Sequence, residues 1–108
     1  MSDLKTTEVK NLLEQLNYQE ESIVSKILLK KETGNVTLFA FDAGQGLSEH
    51  TSPFDALVQC LEGKIDIKVG GENFTVSSGE LLKLPATIPH GLKAVEKTKM
   101  ILTMIKGK

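Results

Sequence analysis

Residues 63–90 read GKIDIKVGGENFTVSSGELLKLPATIPH, and the alternation inside them decides the fold class. Ile65, Ile67 and Val69 fall on one side of an extended chain and Lys64, Asp66 and Lys68 on the other. That is the period-two pattern of a strand with one buried and one wet face. Gly70-Gly71 is a tight-turn pair, Phe74 and Val76 continue the apolar face, and Ser77-Ser78-Gly79 turns the chain again. Leu82 and Leu84 oppose Lys83, and residues 85–89, with a proline at each end, form a stiff loop that leads into His90.

Working outward, residues 23–30 and 36–42 are β-rich runs flanking Glu32-Thr33-Gly34-Asn35, a hairpin turn by composition. Residues 43–49 contain Gly44 and Gly46 and read as a loop; residues 55–61 read as a strand closed by Glu62-Gly63. The segment 90–95 is expected to pair with 98–106 as a hairpin. At least eight short strands at this spacing indicate an all-β sandwich or barrel. Residues 6–16 carry the helical signal, Val9, Leu12, Leu13 and Leu16 recurring at three- and four-residue intervals, with Thr6 or Thr7 as a cap. The expected organisation is one domain over 1–108, a short N-terminal helical arm (1–21) followed by a β-barrel (22–108), the leucine stripe packing on the barrel.

Several strands are apolar on both faces. In residues 98–105, Met100, Leu102 and Met104 inside leave Ile101 and Ile105 outside, and Phe39 and Phe41 oppose Leu38. Such a surface calls for a cover, a second subunit making a homodimer or else the arm.

The composition is that of an ordinary globular chain, 40% apolar and 25% charged with net charge −1, which argues against a nucleic-acid groove. No apolar run approaches the roughly 20 residues of a membrane-spanning helix, so no membrane partner is expected. One cysteine, Cys60, excludes an intrachain disulfide, and together with the lack of a signal-peptide pattern it gives a cytoplasmic expectation. Lys93, Lys97 and Lys99 read as a solvated face.

The spacing of the glycines and histidines resembles the cupin family of small jelly-roll barrels. That family's first motif is Gly, five residues, His-x-His, three or four residues, Glu, six residues, Gly; here Gly44, His50 and Gly63 fall in place. The second is Gly, five residues, Pro-x-Gly, two residues, His, three residues, Asn; here Gly79, Pro85 and His90 fall in place, with 15 residues between Gly63 and Gly79. The departures are Ser52 at the second histidine, Ala56 at the glutamate, Thr87 at the glycine and Ala94 at the asparagine. The resemblance implies a divalent metal held by two first-motif histidines, the glutamate and the second-motif histidine, so His50 and His90 carry over out of four ligands.

Catalytic zinc and iron sites generally use three protein ligands. A third would have to come from Glu49, Asp55, Gln59 or Cys60, and strand parity puts Asp55 and Gln59 on the face opposite Ala56, Val58 and Cys60. Ser52, His50 and Asp55 do not form a nucleophilic triad by proximity in sequence.

Three functions follow. The first is a binding module whose mouth, lined by His50, Ser52, Ala56 and His90, holds a small polar or anionic metabolite. The second is a metal-dependent enzyme of isomerase, decarboxylase, dioxygenase or sugar-modifying type, with Zn, Ni, Mn or Fe on His50 and His90. The third is a dimeric scaffold or regulatory protein.

Overall fold

The computed structural model describes residues 7–107. Its strands are β1 (Ile23–Lys31), β2 (Gly34–Phe41), β3 (Gly46–His50), β4 (Phe54–Glu62), β5 (Lys64–Val69), β6 (Glu72–Ser77), β7 (Leu81–Leu84), β8 (His90–Ala94) and β9 (Thr98–Lys106). They form two antiparallel sheets, of order β1-β2-β9-β4-β7 and β3-β8-β5-β6. This is the all-β architecture that the alternation predicts, in the jelly-roll form that the cupin resemblance implies.

The core lies between the sheets. β4 contributes Ala56, Val58 and Cys60 and β5 contributes Ile65 and Ile67, all buried, while Asp55, Leu57, Gln59, Lys64, Asp66 and Lys68 are exposed. Phe41, Val76, Leu84, Leu92, Ala94 and Met100 complete the cluster. The strand parity read from sequence therefore holds in both strands. At roughly 1.5–3 kcal/mol for each large apolar side chain removed from water, this cluster supplies the main driving force for closure.

Three expectations change. Residues 46–50 are a strand rather than loop, because the backbone of Gly46 pairs with Lys93 and that of Leu47 with Leu92. Glycine allows the close approach: a Cβ at Gly46 would lie 2.2 Å from the Leu92 carbonyl oxygen. Strands β8 and β9 also do not pair with each other. β8 joins β3 and β5 in one sheet, and β9 joins β2 and β4 in the other.

The corner between them is held by Thr98, which is fully buried. Its Oγ1 accepts from the Lys64 N–H at 3.1 Å and donates toward the carbonyls of Glu96 at 2.7 Å and Lys64 at 3.0 Å. Gly63 makes room for this corner at φ +91°, where a Cβ would meet the Lys97 carbonyl at 2.2 Å. These polar ties stand in place of a hairpin turn and send the chain from one sheet to the other.

The third change concerns the arm. Its helical content is a single 3-10 turn, Leu12–Gln15, and Leu16 has returned to extended backbone; Thr6 lies outside the described residues. The Asn11 side chain does not cap the turn, and a segment this short has no stability of its own as a helix. The leucine stripe does not enter a core either: Val9, Leu12 and Leu13 are exposed.

Polar groups pin the arm to the outer face of the larger sheet. Lys99 Nζ donates to the Leu13 carbonyl, Lys26 Nζ donates to Gln15 Oε1 at 3.1 Å, and the Tyr18 hydroxyl donates to Glu62 Oε2. Lys97 and Lys99 both lie over the Tyr18 ring, with Nζ 5.6 and 5.1 Å from its centroid. Lys99 is consequently buried rather than part of a solvated face. Burial, and then the bond to Glu62, push the Tyr18 phenol well above its ordinary pKa, so it stays a donor.

Candidate functional site

His90 begins β8 on the inward parity shared by Leu92 and Ala94, and it is buried. His50 would not face it in a regular strand. Leu47 packs against the core, so simple alternation from Leu47 would turn Glu49 inward and His50 outward. The register between β3 and β8 shifts instead: Leu47 pairs with Leu92 and His50 with His90, leaving Ser48 and Glu49 opposite Gly91 alone.

Two residues against one is a β-bulge, a device that re-aims the side chains beyond it. Gly91 lies under the bulge, where a Cβ would come within 3.2–3.3 Å of the Glu49 backbone. The bulge brings the imidazoles together edge to face, with centroids 4.5 Å apart and planes at 68°.

Each ring is tied in the same way. His50 Nδ1–H donates to the Ser48 carbonyl at 2.7 Å and His90 Nδ1–H to the Ile88 carbonyl at 3.3 Å, in both cases two residues back along the chain. A carbonyl only accepts, so in each ring Nδ1 carries a proton and Nε2 is the nitrogen left for a further partner. Burial lowers the pKa of His90 below its ordinary 6.5; the Ile88 carbonyl opposes this and His50 adds to it. His90 is thus a neutral imidazole near pH 7.

The other candidates have different roles. Ser52 is half-buried; its Oγ accepts from the Phe54 N–H at 3.1 Å and its carbonyl accepts from the Thr87 N–H at 2.8 Å, so it ties the start of β4 to loop 85–89. In that loop Thr87 occupies φ +68°, a conformation that β-branched residues rarely adopt, at the position where the family motif has glycine. Ala56 is buried on the inner face of β4, in register with Met104 and Leu84. A methyl group in an apolar row stands where a carboxylate ligand would be.

None of the four proposed third ligands joins the histidines. Asp55 Oδ1 accepts from the Ala86 N–H at 2.8 Å, and Glu49 and Gln59 are exposed. The Cys60 thiol points at the carbonyls of Glu62 and Gly63, 3.5 and 3.6 Å away, beside the turn that begins β5, whereas His90 pairs with Val69 at that strand's other end. Burial raises the Cys60 pKa, leaving an inert thiol. Among the described residues, no group of three or more His, Cys, Asp or Glu side chains is placed to hold a metal ion.

Sequence reasoning located both histidines but missed what aims them: the Ser48-Glu49 bulge, Gly91, and the two carbonyls that fix the tautomers. The glycine directly after His90 was the available signal, since glycine within a strand often marks a bulge or a close backbone approach.

A family model described as the cupin domain matches residues 37–106 of the chain, which include both histidines. A conserved protein of unknown function from Streptococcus pyogenes is 31% identical with a TM-score of 0.91, over 97% of this chain and 92% of that one. A cupin 2 conserved barrel domain protein from Leptotrichia buccalis is 41% identical with a TM-score of 0.85, over 90% of this chain but 47% of that one. A cupin superfamily protein from Desulfitobacterium hafniense, 21% identical, shares the fold with a TM-score of 0.89 over 96% and 95% of the two chains. No curated protein matches the chain.

Proposed function

The chain belongs to the cupin family, and from the pair of imidazoles that its barrel brings together we propose that it binds a small polar or anionic metabolite at the barrel mouth. The observation that carries this reading is the matched pair: two rings 4.5 Å apart, each with Nδ1–H spent on its own backbone and Nε2 left to a ligand. A ligand hydroxyl or ammonium would donate to the lone pairs directly. A carboxylate would bind by drawing a proton onto one Nε2, turning an acceptor into a charge-assisted donor. The buried His90 then gives anion binding a pH dependence, because protonation competes with its desolvation.

A metal-dependent enzyme is the second reading, favoured by the same free Nε2 atoms, since ligating histidines commonly donate the other ring nitrogen to a carbonyl. The residues present do not fit such a centre. Two imidazoles without a third donor leave most of a coordination sphere to water, and the methyl group of Ala56 stands at the glutamate position.

Thermal shift with small carboxylates, polyols and divalent metals, each at pH 6.0 and 7.5, tests the proposal. A carboxylate or polyol is expected to raise Tm, carboxylates more at pH 6.0, with the shift lost in His50→Ala and His90→Ala. At a ligand concentration one hundred times Kd the stabilisation is about 2.7 kcal/mol. A shift with metal alone, accompanied by stoichiometric metal in untagged protein, would support the second reading and sink the first.

A further inference from the structure

Loop 85–89 carries the carbonyl that decides which nitrogen of His90 bears the proton. His90 Nδ1 reaches the Ile88 carbonyl at 3.3 Å, whereas the matching bond from His50 to Ser48 is 2.7 Å. A separation of 3.3 Å lies at the far end of the normal range for such a bond, so a small retreat of Ile88 breaks it. Ser48 lies within β3 and is held on β8. Ile88 belongs to no strand, and its position depends on what holds the loop.

The loop is strained where it turns. Residues 85–88 close on a hydrogen bond from the Ile88 N–H to the Pro85 carbonyl at 3.4 Å, and the third residue of that turn is Thr87, at φ +68°. A turn with positive φ at its third position ordinarily takes glycine or asparagine. A Cβ there crowds the backbone, and a β-branched side chain crowds it most. Such a conformation persists only where the surroundings over-determine it.

Three ties hold it. The Gly70 N–H donates to the Pro89 carbonyl at 2.8 Å, beside His90, and the Thr87 N–H donates to the Ser52 carbonyl at 2.8 Å. The Ala86 N–H donates to Asp55 Oδ1 at 2.8 Å. The first two run from backbone to backbone, so the third is the one that rests on a side chain. Asp55 lies on the outward face of β4 and is exposed, so its carboxylate serves the loop and not the core.

We propose that Asp55 is a positioning residue for the imidazole pair. Its carboxylate holds the strained turn at Ala86, the turn holds the Ile88 carbonyl against the Nδ1–H of His90, and Nε2 of His90 is kept as the acceptor offered to a ligand. This rests on the reading of the pair as the ligand-binding element. With the tie gone, Thr87 relaxes toward negative φ and the Ile88 carbonyl withdraws. The proton of the neutral ring is then free to move to Nε2, because the partner of one ring nitrogen sets which of the two is protonated. A ring in that form turns a donor toward the barrel mouth and no longer accepts from a ligand hydroxyl or ammonium.

Imidazole nitrogen shifts, read by two-dimensional NMR of the ligand-free protein at pH 7.5, test this. The unaltered chain is expected to hold the His90 proton on Nδ1. Asp55→Ala should bring the Nε2–H form of His90 to about a third of the population or more, and should leave His50 as it was. Asp55→Asn, which keeps the acceptor oxygen, should restore the original form. Thr87→Gly should change nothing by itself, yet combined with Asp55→Ala it should return the proton to Nδ1, because glycine keeps the positive φ without a tie. Backbone amide shifts that stay in place outside loop 85–89 separate a moved loop from a disturbed fold. A His90 tautomer indifferent to Asp55→Ala would overturn the proposal. So would a double variant that remains in the Nε2–H form, since the strain at Thr87 would then not be what the carboxylate opposes. No ligand enters these measurements, so a barrel that binds no carboxylate or polyol would end the binding reading and leave the tautomer result to judge the role of Asp55.

Discussion

His90 couples the site to folding. Its pKa lies below the ordinary 6.5 in the folded protein and returns to that value on unfolding, so between the two values the unfolded chain binds the extra proton. The contribution is therefore fully present above pH 6.5 and is lost as pH falls from there through the lowered folded value. Urea midpoints should drop between pH 7.5 and pH 5.5, and His90→Asn should flatten that drop. A saturating carboxylate ligand should also flatten it, by raising the folded pKa of His90. The two imidazoles themselves were legible from spacing; their tautomers were not, because these depend on the carbonyls of Ser48 and Ile88, which only the folded backbone brings into reach.

Among the elements, strands with strict alternation were the readable ones. β4 and β5 have one buried face, and parity alone orients each of their side chains. Elements governed by a single backbone device were not readable. β3 has glycine where apolar residues would announce a strand, and the corner from β8 to β9 turns on the hydroxyl of Thr98, which no periodicity reveals. The arm had the periodicity of a helix without the length or cap to form one. Thr98→Val, nearly isosteric, should strand the Lys64 N–H and the Glu96 carbonyl in a buried corner and cost about 2–3 kcal/mol. Urea denaturation at unchanged m-value checks this, and a loss below 0.5 kcal/mol would mean that water replaces the hydroxyl.

For the whole molecule, topology governs kinetics. β9 sits between β2 and β4 in the larger sheet, so its pairing joins the last strand to segments far back in the chain. That sheet cannot close until nearly the whole barrel sequence is present, and loop-closure entropy is spent before the pairing returns it. Refolding is expected on the millisecond-to-second scale of non-local β proteins, read by stopped-flow circular dichroism. A microsecond phase carrying the full amplitude would refute this. The pairing scheme lies beyond local sequence because each strand's pattern fits several neighbours; the choice is made by corners, bulges and glycines.

The bulge in β3 has a bearing beyond aiming His50. β3 is an edge of its sheet, and a straight edge strand exposes a row of backbone donors and acceptors that another chain can extend into a fibril. By bending that edge, Ser48 and Glu49 spoil the template, and Glu49 sets a charge on it. The aim of His50 and resistance to aggregation thus rest on the same two residues, and a mutation that regularised the strand would forfeit both together.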